Sequence, residues 1–529
     1  MSVRHRTGGE GKQGPLAAVR GGLGQVARAS SRELRSRPGL AALLGLLLVA
    51  LGLRIGLSLA YRPATLSQFD ANVYVWQAQG SLFASALQAP GYSGFLRVAH
   101  LFSDQVAVTI SIQHLLPLGT AVLAWWTVRR ISGSDWLGLV PAAVVLLNGD
   151  ALVLEHSLMS ETLFTFLVVA TLAAAVGAID AARPWTWLAV AGALLGGAIW
   201  VRYAAVGLVP VLVIWALLAF RPIRREGFGA AAAALVPVIV LVGLLVVLQG
   251  RQTGFYGLGE SGGWALYSRV AGFADCTRFD PPASTEQLCE STPPERRLNP
   301  DWYGASPDSP AVQLFESPPN GDAELRSWAE SAIIAQPLDY AGEVLDDLAL
   351  FVDEQPWTNR DVSLIGSRVV SFTLRSPDEH CAPSICRAPP LGIEGNSVFA
   401  WTSPDAGAYY AAFEPRAGAA VLLFQDLQRV LRMHGILLGI AIALSLLGLL
   451  AVRGRLARAQ WLLTLSAVAL LVTPVATTTY NIRYAIPALP LFAAAAVLAP
   501  LSLREGAGWI PRAARRLRER VRATSPSPS

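Results

Sequence analysis

The sequence predicts an all-α membrane protein of about ten spans, and three observations predict it. Hydrophobic residues make up 53% of the 529 positions, charged residues only 15%, and the mean hydropathy is +0.44, a balance that excludes a water-soluble globular protein. Apolar runs of the roughly 20 residues a helical span requires begin near Leu40, Val106, Trp136, Thr162, Trp185, Tyr203, Ala230, Ile436, Trp461 and Tyr484. Basic residues fall in every second connection between those runs, as orientation by the cytoplasmic retention of Lys and Arg demands.

The elements follow in order. The stretch up to Arg37 is rich in Gly, Arg and Ser and too poor in apolar residues to fold alone, so residues 1–38 read as a disordered cytoplasmic segment. Residues 39–250 read as a membrane domain of seven spans. Within it, Trp185 to Phe220 as one helix would be about 50 Å long, against an apolar bilayer core of about 30 Å. The stretch must therefore fold back, and its one internal charge, Arg202, marks the tip of the hairpin. Residues 251–432 read as an extracytoplasmic domain, 433–503 as spans eight to ten, and 504–529 as a basic cytoplasmic tail. In that tail Ile510, Ala514, Leu517 and Val521 share one helical face, which suits a helix lying on an anionic leaflet or a plain solvated tail.

Arginines crowd the segment up to Arg37, then "VRRISG", Arg183, "RPIRR", "VRGRLAR" and the region after Leu503, which puts both termini in the cytoplasm of a multi-pass plasma-membrane protein. Charge supports the same map. Residues 251–432 hold 25 of the 37 acidic residues and 13 of the 42 basic ones, a net −12, so the excess of positive charge belongs to loops facing anionic lipid and not to a nucleic-acid site. The same segment holds all four cysteines, Cys276, Cys289, Cys381 and Cys386. Disulfides suit that distribution, and the local pairs Cys276 with Cys289 and Cys381 with Cys386 are favoured among three connectivities. Zinc, with His380 beside Cys381, is the rival, although the spacing fits no strong finger pattern.

In the extracytoplasmic segment Leu325, Trp328, Ala332 and Ile333 form one helical stripe, Pro337 interrupts it, and Val344, Leu348 and Phe351 form a second. These are helices on the membrane surface or the core of a small folded domain. Once the topology is set, unusual polar residues gather at one face: Asp70 and Tyr74 after the first span, Asp150, Glu155, His156 and Glu161 between the third and fourth, Arg202 and Tyr203 at the hairpin tip, and Tyr480, Asn481, Arg483 and Tyr484 between the last two. A carboxylate that takes a proton from a hydroxyl, beside arginines that stabilise a departing phosphate, is what chemistry on a lipid-linked phosphate needs. No P-loop or dinucleotide fingerprint stands in a cytoplasmic loop.

Five stretches in order, "DANVY", "APGYSGFLRVAHLF", "LMSETLFTFLVV", "AGALLGGAIWVRYAAVGLVP" and "NIRYAIPALPLF", resemble the GT-C membrane glycosyltransferases, most of all the branch of protein O-mannosyltransferases, lipid A aminoarabinose transferases and their bacterial relatives. The resemblance implies a first outer loop that re-enters the membrane face, a polyprenyl-phosphate-linked sugar as donor, an inverting displacement at the anomeric carbon, and Asp70 as general base. It places Arg202 and Arg483 at the donor phosphate, with Tyr74, Tyr92, Glu155, His156, Glu161, Tyr203 and Tyr484 as substrate-binding candidates. The acceptor is an extracytoplasmic glycan, lipid or protein, membrane lipid is a partner, no cofactor is required, and a divalent metal is left open without support from the sequence. Two positions depart from the pattern. Ala71 stands where relatives often carry a second acidic or polar residue, and Gln88 and Ala89 precede the Pro90-Gly91-Tyr92 turn in place of a basic residue and a proline.

Each candidate has a structural reading beside the functional one. Asp70 can be a loop carboxylate or helix cap, and Ser160 with Glu161 reads as the capped start of a helix. His156 suits a structural role at the interface, Arg54 either pairs with a carboxylate or snorkels, snorkelling being the default, and Trp76, Trp185, Trp200 and Trp401 read as interfacial belt residues. Two other functions compete with glycosyl transfer. A lipid or solute transporter calls for broken helices and ionisable groups near the midplane, and the spans here read as mostly uninterrupted. A non-catalytic assembly protein would keep the fold without the chemistry.

Overall fold

The computed structural model describes residues 37–64, 69–220, 222–298, 300–353, 409–411 and 416–507. Cys381, Cys386, His380, Trp401 and the tail helix around Ile510 lie outside them.

Helices form at all ten apolar runs. The first is α1 (Pro38–Ala60), started by a proline in its first turn, where no backbone donor is lost. Two short helices follow, α2 (Phe69–Gln79) and α3 (Gly91–His100), before α4 (Val106–Ser132). The third run is α5 (Asp135–Leu147) and α6 (Gly149–Glu155), bent by 53° at Asn148. After α7 (Glu161–Ala178) and α8 (Pro184–Val201) the chain reverses through a 3₁₀ turn at Tyr203–Gly207 into α9 (Leu208–Ala219), so Arg202 does sit at a hairpin tip. The helix α10 (Phe228–Thr253) ends the first membrane domain.

A segment of five helices then precedes the last spans: α11 (Gly262–Ala271), α12 (Pro300–Ala305), α13 (Pro310–Phe315), α14 (Asp322–Ala335) and α15 (Pro337–Ala349). The chain closes with α16 (Val421–Val430), α17 (Ile436–Gly448), α18 (Arg455–Thr477) and α19 (Leu489–Ala507). Tyr61–Arg62 pairs antiparallel with Arg416–Ala417, a two-residue ladder beside an otherwise helical architecture.

Among the described residues seven helices are long and apolar enough to cross a membrane, eight if α5 and α6 count as one span. This is a helical, multi-pass membrane protein. The hairpin's second arm, Tyr203–Ala219, is a short apolar helix as its length predicted, and α17, of 13 residues, also falls short of the usual spanning length. The reading of uninterrupted spans also fails at Asn148. Its own side-chain oxygen accepts from Ala151 N at 2.9 Å, so the residue ends one helix and caps the next.

In the bundle, α8 packs between α7 and α10, α4 against α5 and α7, and α19 against α17 and α18. Gly192 makes the α8–α10 approach: a Cβ there would collide with the carbonyl of Ala234. The ends where α1 stops and α7 starts form the distal end of the bundle, and the five-helix segment sits there with a core of its own. Trp264, Tyr267, Leu325, Trp328 and Ala332 are buried in it, which settles α14 as part of a folded unit. By contrast, α15 buries Val344 and leaves Leu338 and Leu345 open. The Cys276–Cys289 disulfide closes a loop in this unit, which the sequence favoured. At that loop length the cross-link is worth about 3 kcal/mol.

Candidate functional site

Asp70 lies in the first turn of α2, a helix that buries Ala71, Tyr74, Val75 and Ala78 on one face. A first-turn carboxylate complements the helix dipole, so the structural role is met. The side chain does more than that. Arg483 Nη1 donates to Asp70 Oδ2 at 2.7 Å, across 413 positions of sequence, and Gln88 Nε2 donates to Oδ1 at 3.2 Å. Gln88 thus fills the position before the Pro90-Gly91-Tyr92 turn with a neutral donor aimed at the carboxylate.

Arg483 also stands 3.6 Å from Glu161 Oε1, the atom that Arg202 Nη1 meets at 2.5 Å. Four side chains therefore alternate in charge, Asp70, Arg483, Glu161 and Arg202, and they come from four separate connections at the distal end. Arg202 donates further to Ser160 Oγ at 3.0 Å, and Ser160 meets the Tyr74 hydroxyl at 3.0 Å. Ser160 makes no cap hydrogen bond at the start of α7, a correction to the capping reading: its hydroxyl is engaged by the site. The Tyr484 ring lies under Arg483, 5.6 Å from Cζ.

Two buried atoms in this group, Arg483 Nε and Glu161 Oε2, have no hydrogen-bond partner among the described residues. A buried donor and a buried acceptor left open at one place are costly unless a ligand meets them. Burial, reinforced by the nearby Asp70 charge, pushes the Tyr74 hydroxyl up, so it serves as a neutral hydrogen-bonding group. Arg483 Nη1 lies 2.7 Å from Asp70 Oδ2 and 3.6 Å from Glu161 Oε1, bridging the two carboxylates.

The remaining candidates are placed elsewhere. Tyr92 packs edge-on to Tyr74, with ring centroids 4.8 Å apart, and donates to Gln113 Oε1 at 2.8 Å. Gln113 in turn donates to the carbonyls of Glu155 and Ser157, so Tyr92 braces the turn before α7. The turn carrying Tyr92 sits tightly against α8, since a Cβ on Gly91 would lie 2.6 Å from the Trp200 carbonyl. Tyr203 accepts from Gln249 Nε2 at 2.7 Å, away from Asp70. Glu155 and His156 belong to a second buried cluster. Arg54 pairs with Glu155 at 2.8 Å, His114 lies 3.5 Å from the same carboxylate, and His114 Nε2 stands 3.2 Å from His156 Nδ1.

Arg54 does not snorkel. It is 1% exposed, and Glu155 with the Ala50 and Leu146 carbonyls meets its two Nη nitrogens where it stands. It lies six residues before the end of α1, about 9 Å below the distal end. Asp150 is likewise structural, accepting from Gln428 at 2.9 Å and Arg432 at 3.3 Å to hold α16 on α6. Between α4, α5, α6, α7 and α19 lies a largely apolar cleft whose walls include Glu155, Glu161, Thr120 and Thr165.

Sequence reasoning missed Gln88, Ser160 as a site hydroxyl, and which carboxylate meets Arg54. The departure at the Pro-Gly-Tyr turn was the available signal for Gln88. No family model matches the chain, and no match was found among curated proteins. Among solved structures, the chain is similar to the oligosaccharyltransferase of Archaeoglobus fulgidus in its apo form, at 13% identity and a TM-score of 0.41, over 87% of this chain and 50% of that one. The chain thus spans about half the length of that protein.

Proposed function

We propose that this protein is a membrane glycosyltransferase that moves a sugar from a polyprenyl-phosphate donor to an extracytoplasmic hydroxyl with inversion. The observation that carries the reading is the contact of Asp70 with Arg483, joined through Glu161 to Arg202, at the end of a bundle of membrane-length helices. Asp70 accepts the proton of the acceptor hydroxyl, and the acceptor oxygen bonds to the anomeric carbon as the bond from that carbon to the phosphate oxygen breaks. The electron pair leaves with the polyprenyl phosphate. Arg483 engages both carboxylates through Nη1, so its Nε remains to donate to a phosphate oxygen, with Arg202 adding charge one step behind. One displacement gives inversion, and water afterwards takes the proton from Asp70.

The Cys276–Cys289 disulfide supports an extracytoplasmic distal end, since such bonds persist in oxidising compartments. The apolar cleft beside Glu161 offers a place for part of an isoprenoid chain. Transport has one observation in its favour, the 53° break at Asn148. Against it, the charges of Arg54, Glu155, Glu161, Arg202, Arg483 and Asp70 lie near the distal end in pairs of opposite sign.

The test incubates the purified protein with a panel of polyprenyl-phosphate sugars and candidate acceptors, and reads released lipid phosphate and new glycoconjugates by mass spectrometry. Expected is one donor consumed, with product of opposite anomeric configuration. Retained configuration would overturn the single displacement, and no release from any donor would overturn the reading.

A further inference from the structure

Two connections carry the groups that hold Asp70: residues 80–90, with Gln88, and residues 478–488, with Arg483. Each is gripped by a buried carboxylate from the five-helix distal segment. Glu260, 8% exposed, accepts from Ala86 N at 2.9 Å and from Ser85 Oγ at 3.2 Å, while its own amide donates to the Ala86 carbonyl at 3.2 Å. Gln88 follows two residues later. Asp347, 5% exposed, takes Arg269 Nη1 at 2.8 Å and Tyr480 N at 2.9 Å on the same oxygen, Oδ2. Asn481 then opens the 3₁₀ turn at Ile482–Ala485 by accepting from Arg483 N at 3.2 Å. The Tyr340 hydroxyl adds a bond to the Ala476 carbonyl at 2.8 Å, just before that connection.

Burying a carboxylate is expensive, and a backbone amide is a directional partner for it. The same arrangement appears twice, once on each connection that reaches Asp70. We infer that the five-helix segment is a positioning frame for the chemistry at Asp70, in which Glu260 and Asp347 fix the backbone that delivers Gln88 to Oδ1 and Arg483 to Oδ2. Both are positioning residues, acting through the loops they hold. The catalytic consequence rests on the glycosyl-transfer reading; the positioning itself does not.

The experiment measures amide hydrogen exchange on the full-length protein in detergent, together with steady-state turnover of a polyprenyl-phosphate hexose. Glu260→Ala is expected to raise exchange across 83–90 by about ten-fold and leave 478–486 within about two-fold, and Asp347→Ala to do the converse. Glu260→Gln, which keeps an acceptor oxygen, restores protection. Because Asp347→Ala strands Arg269 in the interior, the double variant Arg269→Met with Asp347→Leu removes the same grip without a buried unpaired charge. Where the wild-type protein turns the donor over, each loosening variant lowers kcat about 10- to 100-fold with KM within about two-fold, the pattern of misplaced catalytic groups. If the wild-type protein is inactive, glycosyl transfer fails while the exchange pattern still decides the positioning. Unchanged exchange in both connections, or a uniform rise across 254–350, overturns it.

Discussion

At the scale of residues, the site is a chain of alternating charges that runs from Asp70 through Arg483 and Glu161 to Arg202. Arg483 meets Asp70 and Glu161 through Nη1 and keeps Nε open, and a lysine ammonium could meet the two carboxylates but has no second nitrogen to offer a phosphate oxygen. Arg483→Lys is therefore expected to lower the rate of sugar transfer by about 10² to 10³ although the charge is kept, the range for losing one donor at developing charge. A lysine variant within about two-fold of wild type in single-turnover assays would show that only charge matters. Asp70, Arg202 and Arg483 were legible in the sequence because a charge next to an apolar run is costly without a purpose. Gln88 and Ser160 were not, since a neutral polar residue in a loop carries no such cost. A carboxylate partner for Arg54 was one of the two readings, but which carboxylate was not legible, because Glu155 lies 101 positions away.

The elements explain how those residues meet. Asn148 breaks the third span, and the short α6 beyond it turns Glu155 onto Arg54. Apolar run length reports where a helix lies but not where it bends, so that break was invisible in the sequence, whereas the hairpin was legible because the run is too long for one span and its one internal charge, Arg202, marks the tip. Glu155→Gln is expected to destabilise the protein by about 3–5 kcal/mol by leaving Arg54 without its counter-charge, measured as a fall in the urea midpoint of the detergent-solubilised protein. An unchanged midpoint would mean that the pair is not structural. Gly192→Leu should cost about 1–3 kcal/mol or more by forcing α8 from α10, since no side-chain movement can relieve a collision with a backbone carbonyl. The same midpoint measurement checks it.

For the whole molecule, the helical membrane class was legible from composition and run length, because the bilayer imposes both. The distal unit was legible as a separate acidic, cysteine-bearing segment, but its grip on the two connections was not, as backbone amides leave no trace in sequence. The orientation proposed here predicts that Gln79→Cys labels with a membrane-impermeant thiol reagent in intact cells. Arg453→Cys, in the basic connection between α17 and α18, should label only after permeabilisation. The reverse pattern would place the distal end in the cytoplasm.

The central claim is that Asp70 is the base of a glycosyl transfer, and the direct measurement compares wild type with Asp70→Asn in release of lipid phosphate from the purified donor. The account predicts a fall of about 10² to 10⁴ with the fold and donor binding retained. Transfer at the wild-type rate by Asp70→Asn would contradict it.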